Sequence, residues 1–407
     1  MEKRLKVLIY TNHFYPEFFR VNDLAFELAK DADVSVITCV PNYPKGRYFE
    51  GYGLFKRNRE VVRNVKIIRL PLLPRYDGGS INIILNYITY ALSTLLYTLY
   101  LILSFRKFDR ILIHHTSPIF IAIPAVLFSR IRNIKLIFWN LDLWPESVKE
   151  ASKIKSIYLI NFLGLLVNWI YRNVDLMLIS SRGFHRHVVE RGMRPNKVIY
   201  FPNWTESEMA YEGSEVKQCP FQFKGCFNIV YTGNIGEAQD FSNVLEAFSY
   251  LKNPLIHLYL VGNGRAYDLV KSKIEELNLQ EVVYLLGQVK PEIVPSVIAE
   301  ADAVLLSLKS AEIFSVTVPA KLQVYLTAGK PILGMVSGEA KAIIDESNAG
   351  YCVEAGDYIG LSMIIKRMSE LSTQDITIMG KNGADYSQSV FERKTLLDIA
   401  VKLIHEK

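Results

Sequence analysis

Cysteine is scarce in this chain. Four occur in 407 residues (Cys39, Cys219, Cys226 and Cys352), far apart, with no CxxC pair and no nearby histidine partner. That excludes a disulfide scaffold and a zinc knuckle, and points to a reducing compartment. Glycine fingerprints are missing too: neither GxGxxG nor GxxxxGK[ST] occurs, so dinucleotide and P-loop signatures are absent. No DxD pair follows a strand-like run, so nothing presents the oxygen ligands that a cation bridging a diphosphate would want. No internal repeat or low-complexity tract is visible. The opening MEKRLKVLIYTNHFYPE has too short an apolar run for a secretory leader and is expected to be a first β-strand.

Half of the residues are hydrophobic and 22% are charged, a balance that excludes disordered and fibrous classes. The length exceeds what one core usually holds, so two domains are expected. The net charge of +6 conceals an asymmetry. Residues 1–203 carry 29 Lys and Arg against 15 Asp and Glu, whereas residues 204–407 carry 18 against 26. A basic half joined to an acidic half suggests that the first faces an anionic surface or ligand. Nucleic acid is not the expected partner, because the basic residues coincide with apolar helices and no recognition motif appears.

A basic run at 45–77 is followed by INIILNYITYALSTLLYTLYLILS (81–104), which has no charge at all. Its 24 residues exceed the roughly 20 that span a bilayer. Strand-like runs on either side, VKIIRLPLL (65–73) and RILIHH (110–115), look like neighbours in one sheet, which argues against a span. A buried helix is a second possibility. The favoured expectation is a helix lying in the membrane interface, with tyrosines at 87, 90, 97 and 100 and basic flanks. A second apolar stretch, SIYLINFLGLLVNWIY (156–171), supports it. The expectation is a peripheral or monotopic protein at the cytoplasmic face of the inner membrane.

Short apolar runs alternate with helix-length segments throughout. The runs are 5–11, 34–39, 66–70, 111–115, 135–140, 176–180 and 198–203, then 227–233, 257–264, 282–287, 303–308 and 331–336. Segments such as 240–252, 266–277, 291–300 and 319–328 read as helices. Continuous apolar strands alternating with helices imply parallel sheets covered on both faces. Two such series imply an α/β protein of two doubly wound, Rossmann-like domains facing across a cleft. The expected boundaries are an N-terminal domain at 1–204, a linker at 205–226, a second domain at 227–383, and a C-terminal helix at 384–407 packing back on the first domain.

Ligands of doubly wound sheets bind beyond the carboxyl ends of the strands. In the first half the loops there are NHFYPEFFRVND (12–23), NLDLWPES (140–147) and FPNW (201–204). In the second they are TGNIGEAQD (232–240), VGNGR (261–265), LGQVKPE (286–292) and SLKSAEIFSVTVPAKLQ (307–323). The turns at Gly233–Gly236 and Gly262–Gly264 let backbone N–H groups approach a phosphate, or are simply tight turns. With Arg265 and Lys321 at the same edge, a diphosphate site is the favoured reading.

These loops, with PNYPKGRYFEGYG (41–53) and TVPAKLQVYLTAGKPI (317–332), resemble glycosyltransferase family 4 and its L-fucosamine-transferase-like branch of O-antigen and capsule synthesis. The likeness runs from about residue 4 to 400. It implies a GT-B fold and a retaining, metal-independent transfer with no cofactor. The donor would be a UDP-sugar of the N-acetylated amino or deoxyamino kind. The acceptor would be a polyprenyl-diphosphate-linked saccharide. On this likeness the donor side would comprise Gly233, Asn234, Gly236, Gln239, Gly262, Gly264, Arg265, Gln288, Pro319, Lys321 and Gln323. The acceptor side would comprise His13, Arg20, Tyr43, His115 and Asp142, with Asp142, Arg20, Lys321 and Arg265 in catalytic roles. The chain departs from the broader family where paired glutamates fall on Val316 and Val324, where a histidine falls on Leu141, and where a basic residue falls on Asn234. Blander readings stand beside several of these. Asp142 would cap the following segment, Arg20 would be an exposed helical residue, Tyr43 and Pro44 a rigid turn, and His13, His114 and His115 core histidines. A UDP-sugar 2-epimerase and a non-catalytic sugar-binding protein are the alternative functions.

Overall fold

Strands whose side chains are buried on both faces dominate the computed structural model, which describes residues 4–76, 79–151, 156–205 and 218–406. The chain forms two compact units, residues 1–203 with 394–407 and residues 204–393. Unit 1 holds β1 (Lys6–Thr11), β2 (Asp33–Cys39), β3 (Arg59–Val62), β4 (Val65–Leu70), β5 (Arg110–His115), β6 (Lys135–Asn140), β7 (Leu176–Ile179) and β8 (Val198–Tyr200). Their order is β3-β4-β2-β1-β5-β6-β7-β8, parallel except for the β3–β4 pair. Unit 2 holds β9 (Phe227–Thr232), β10 (Ile256–Val261), β11 (Val283–Gly287), β12 (Ala303–Ser307), β13 (Ile332–Met335) and β14 (Gly350–Val353). These run in the order β11-β10-β9-β12-β13-β14, all parallel.

The strand order reverses direction at β1/β5 in unit 1 and at β9/β12 in unit 2, and both switch points open at carboxyl ends. Every apolar run expected from sequence is a strand. The two strands not expected are edges: β3 is polar and antiparallel, and β14 is a four-residue strip that is only half-buried. The expected helix at 384–407 divides differently. Residues 384–390 end the helix Thr373–Val390 of unit 2, and a separate helix, Arg393–His405, carries the chain into unit 1. There the Arg110 guanidinium donates to the carbonyls of Ile404 (3.1 Å) and Glu406 (2.9 Å). Of the expected linker, residues 206–217 lie outside the described residues.

The uncharged stretch is a single helix, Ser80–Leu103, long and apolar enough to cross a membrane by length and composition. It joins β4 to β5, which belong to one sheet, and packs against the helix Ala122–Arg132, so it runs along the unit. Its polarity is inverted. Asn86, Tyr90, Thr94 and Thr98, four residues apart, face inward and are buried. Tyr90 donates to the Thr11 carbonyl (2.7 Å), Asn86 to the Leu73 carbonyl (2.6 Å), and Thr98 pairs with Tyr10 (3.1 Å). Ile81, Ile84, Ile88, Leu92, Leu96 and Leu103 form the exposed outer face. The helix Ile157–Arg172 likewise exposes Tyr158, Phe162 and Leu165.

The two faces of the long helix have opposite tolerances. Tyr90→Phe leaves the Thr11 carbonyl without its donor in a buried setting and is expected to cost about 1–3 kcal/mol. Ile88→Gln, on the outer face, is expected to stay within about 0.5 kcal/mol. Equilibrium urea unfolding of the two variants checks the difference. Equal losses would contradict the orientation of the helix.

Candidate active site

In unit 2 the two glycine turns interlock. Gly262 has φ +155°, and a Cβ there would penetrate the Gly233 carbonyl; a Cβ at Gly264 would strike the Ile235 carbonyl. The glycines are therefore required by close backbone approach. The approach engages donors of the turn: Gly233 N–H bonds the Val261 carbonyl (2.8 Å) and Ile235 N–H the Asn263 carbonyl (2.9 Å). Gly236 N–H bonds Gln239 Oε1 (3.0 Å), which also accepts from Asn234 Nδ2 (3.3 Å). Three of the four N–H groups at 233–236 are thus bonded within the protein, and the turn forms a rigid ledge.

What the ledge supports is Lys321, in the first turn of the helix Ala320–Thr327. Its Nζ lies 3.8 Å from the centre of the Tyr231 ring and donates to the Tyr231 hydroxyl, which in turn donates to the Asn234 carbonyl (2.6 Å). A Cβ on Gly233 would come within 2.6 Å of Lys321 Cε, so glycine here also makes room for the lysine stem. Burial lowers the ammonium from its ordinary 10.5 to about 7, and no acidic group among the described residues opposes it. A poorly solvated, unneutralised cation of this kind is a site for an anion. Past the ends of β12 and β13, Lys309, Glu312, Phe314, Ser315 and Ser337 line a cavity of about 260 Å³. Arg265 and Gln288 are exposed in the loops after β10 and β11, and Pro319 precedes the lysine helix. Gln323 is not displayed. It is 3% exposed on the inner side of the helix, while its neighbour Val324 is 39% exposed.

In unit 1 the loops after β1, β2, β5 and β6 converge. His13 Nδ1 meets Glu17 Oε2 at 2.9 Å, and Glu17 Oε1 accepts from the backbone amides of Asn42 (2.7 Å) and Tyr43 (2.6 Å). The His13 ring stacks on Phe19 (4.7 Å between centres, 8° apart) and touches Tyr43 (5.3 Å). Asp142 Oδ2 accepts from Ser117 Oγ (2.6 Å), Ser147 Oγ (3.1 Å) and Trp144 Nε1 (3.2 Å). Asn12 joins the two groups by donating to the Ser117 carbonyl. Asp142 is therefore held through one oxygen by three donors, which makes it a fixed carboxylate at the strand edge.

All three histidines of these loops are buried, His13 at 7% exposure and the other two almost completely. Burial, with the charges of His13, His115 and Arg20, pushes His114 down to about 3; it bonds Thr11 Oγ1 (3.0 Å) and packs on Trp139. His115 was expected on the acceptor side, but it is fully buried at the end of β5. There it bonds Asn140 Oδ1 (3.0 Å), and burial lowers its pKa against the opposing pull of Asp142. Both are core residues of a strand covered on two faces. Arg20 opens the helix Arg20–Leu28, half-buried. Sequence reasoning passed over Glu17, Asn12, Ser117 and Tyr231. For Glu17 a signal existed, since it is the one charge within HFYPEFF, and a lone carboxylate among aromatics is stable only when bonded. Among the described residues no group of three or more His, Cys, Asp or Glu could hold a metal ion.

Comparison with known proteins bears on this arrangement. Residues 19–204 match the model of a glycosyl transferase 4-like domain, and residues 221–385 that of glycosyl transferases group 1. The probable glycosyltransferase WbjE of Pseudomonas aeruginosa is 23% identical over 283 residues, 67% of this chain and 70% of that protein. The putative colanic acid biosynthesis glycosyl transferase WcaI of Escherichia coli K12 is 23% identical over 339 residues, 80% of this chain and 82% of that one. Among solved structures, Anabaena Alr3699/HepE in complex with UDP aligns with a TM-score of 0.68 at 15% identity, covering 98% of this chain and 99% of that. Sucrose-phosphate synthase from Thermosynechococcus elongatus aligns at 0.71 and 14% identity, covering 98% of each.

The lowered pKa of Lys321 has a thermodynamic sign. Between about pH 7 and 10.5 the unfolded chain binds the proton more tightly than the folded one, so folding stability rises with pH across that window. Lys321→Met is expected to be more stable than the parent at pH 7, with the gap closing as pH approaches 10.5. Urea midpoints at pH 7, 8.5 and 10 test this, and a gap that widens with pH would contradict it.

Proposed function

The chain belongs to the GT-B glycosyltransferases, and we propose that it moves a sugar from a UDP-sugar to a polyprenyl-diphosphate-linked saccharide in surface polysaccharide synthesis. The observation that carries the donor half of this reading is Lys321, a partly buried ammonium with no acidic counterpart among the described residues, beside a rigid backbone ledge. Such a cation gains most when an anion replaces the water it has lost, which suits a nucleoside diphosphate. The UDP in the HepE complex, the name of WcaI and the L-fucosamine-transferase likeness support the donor and pathway class. An N-acetylated amino or deoxyamino sugar is the favoured cargo.

In the proposed mechanism Lys321 and Arg265 neutralise the diphosphate as it departs. The acceptor hydroxyl attacks on the face from which the diphosphate leaves, and a phosphate oxygen takes the hydroxyl proton, so configuration is retained. Asp142, immobilised by Ser117, Ser147 and Trp144, fixes a sugar hydroxyl on unit 1. Positioning and charge stabilisation then do most of the catalysis, with no carboxylate pair and no metal required. Incubating membranes with a panel of labelled UDP-sugars tests the reading. Transfer of label to lipid is expected, undiminished by EDTA. Lys321→Ala is expected to lower it roughly 10²-fold, the scale of one preorganised charge contact. Chelator-abolished activity restored by Mg²⁺, or full activity of the variant, would refute the mechanism.

The same reading places the protein on the cytoplasmic face of the inner membrane. It rests on the exposed faces of Ser80–Leu103 and Ile157–Arg172 together with nearby cations. Arg106 and Arg59 lie close enough to Tyr97 on the long helix to oppose the rise that burial imposes on its pKa, and Lys56 and Arg57 are exposed. Each basic residue near an anionic surface is worth about 1 kcal/mol, screened over about 10 Å at 0.1 M salt, whereas apolar insertion is unscreened. Binding to anionic vesicles is therefore expected to weaken with salt without vanishing. Replacing Lys56, Arg57 and Arg59 with glutamate is expected to remove the salt-sensitive part. Vesicle flotation reads both, and a protein that never floats at low salt would defeat this localisation.

A further inference from the structure

Glu17 is a buried charge to which the mechanism gives no task. Glu17 is 2% exposed, and its carboxylate accepts three hydrogen bonds, from Asn42 N–H, Tyr43 N–H and the His13 ring. An ionised carboxylate only accepts, so the bond at 2.9 Å assigns the proton to His13 Nδ1. In its neutral form the ring then has its accepting lone pair on Nε2. Its plane is set independently by the parallel stack on Phe19. His13 lies just beyond β1, at the switch point where the order of strands reverses, and Tyr43, 46% exposed, stands against it. An amphipathic aromatic surface beside a hydrogen-bond acceptor of fixed direction suits the apolar face and hydroxyls of a sugar ring.

We infer that Glu17 is a positioning residue, which locks the tautomer of His13 so that Nε2 accepts a hydrogen bond from a hydroxyl of the saccharide acceptor. This rests on the acceptor reading given above for unit 1. Glu17 also ties the loop after β1 to the loop after β2, so the ring and the Tyr43 surface keep one spacing. Glu17→Gln separates these two tasks. The amide oxygen still accepts from Asn42 and Tyr43, but the amide nitrogen now donates toward Nδ1, which drives the proton to Nε2 and turns an acceptor into a donor.

The test uses the full chain labelled with ¹⁵N-histidine, with His13→Ala to assign the resonance. At pH 8 the parent is expected to show His13 protonated on Nδ1, and Glu17→Gln to show it protonated on Nε2. With the acceptor saccharide as varied substrate, Glu17→Gln is expected to lower kcat/KM at least 10-fold while the Kd for UDP changes less than twofold. In the His13→Ala background the same substitution is expected to add less than a twofold loss, because Glu17 acts through the ring. An equal loss in both backgrounds would make Glu17 a loop tie only and overturn the inference, as would an unchanged tautomer. Should the parent transfer from no UDP-sugar, the proposed reaction fails, while the tautomer measurement still decides for or against the Glu17–His13 pairing.

Discussion

A parallel sheet brings the carboxyl end of every strand to one edge, and each polar group there must find a partner because helices cover both faces. The ends of these strands show how the requirement is met. Thr11 pairs with His114, His115 with Asn140, the Thr232 amide with the Tyr325 hydroxyl, and Ser307 with the Gln239 carbonyl. Each bond reaches from a strand into a neighbouring strand, helix or loop. Satisfying the sheet therefore fixes the loops. Bonds of the same kind hold Lys321, Asp142 and His13 in single positions.

Much of the fold was legible because strands buried on both faces read as uninterrupted apolar runs, as KVLIYT and IHLYLV do. The two missed strands, REVV and GYCV, are edges, where half of that signal is lost. The candidate site was legible by position more than by role. The glycines of both turns stood out, but the Gly233 carbonyl meets Gly262 from another strand, and no spacing in the sequence reports that approach. Gln323, expected on the donor side, is buried while Val324 is exposed, a difference of one residue of helical phase. That helix is flanked by apolar residues on most sides, so its pattern leaves the phase open.

The long helix offers a different lesson. Its composition marked it as apolar, and hydropathy alone does not distinguish inside from outside when the polar residues are Asn, Tyr and Thr. The four-residue spacing of Asn86, Tyr90, Thr94 and Thr98 did encode a face, and that face turned inward. Hydroxyls and one amide hold the helix to the sheet, leaving the aliphatic side chains outside. A helix fastened by hydrogen bonds keeps its attachment whether its outer face meets water or hydrocarbon.

The return of the chain through Arg393–His405 gives the molecule an order of assembly. Unit 1 is discontinuous: Leu396, Leu397, Ala400 and Ile404 complete its burial, yet they emerge from the ribosome after all of unit 2. At synthesis rates of about 5–20 residues per second, the sheet of unit 1 waits on the order of ten seconds or more for its last helix. Throughout that interval the nascent chain carries an unfinished first unit, with the apolar outer faces of Ser80–Leu103 and Ile157–Arg172 already made. Unit 2, contiguous in sequence, is free to fold during the wait, so the half made last is the half able to finish first.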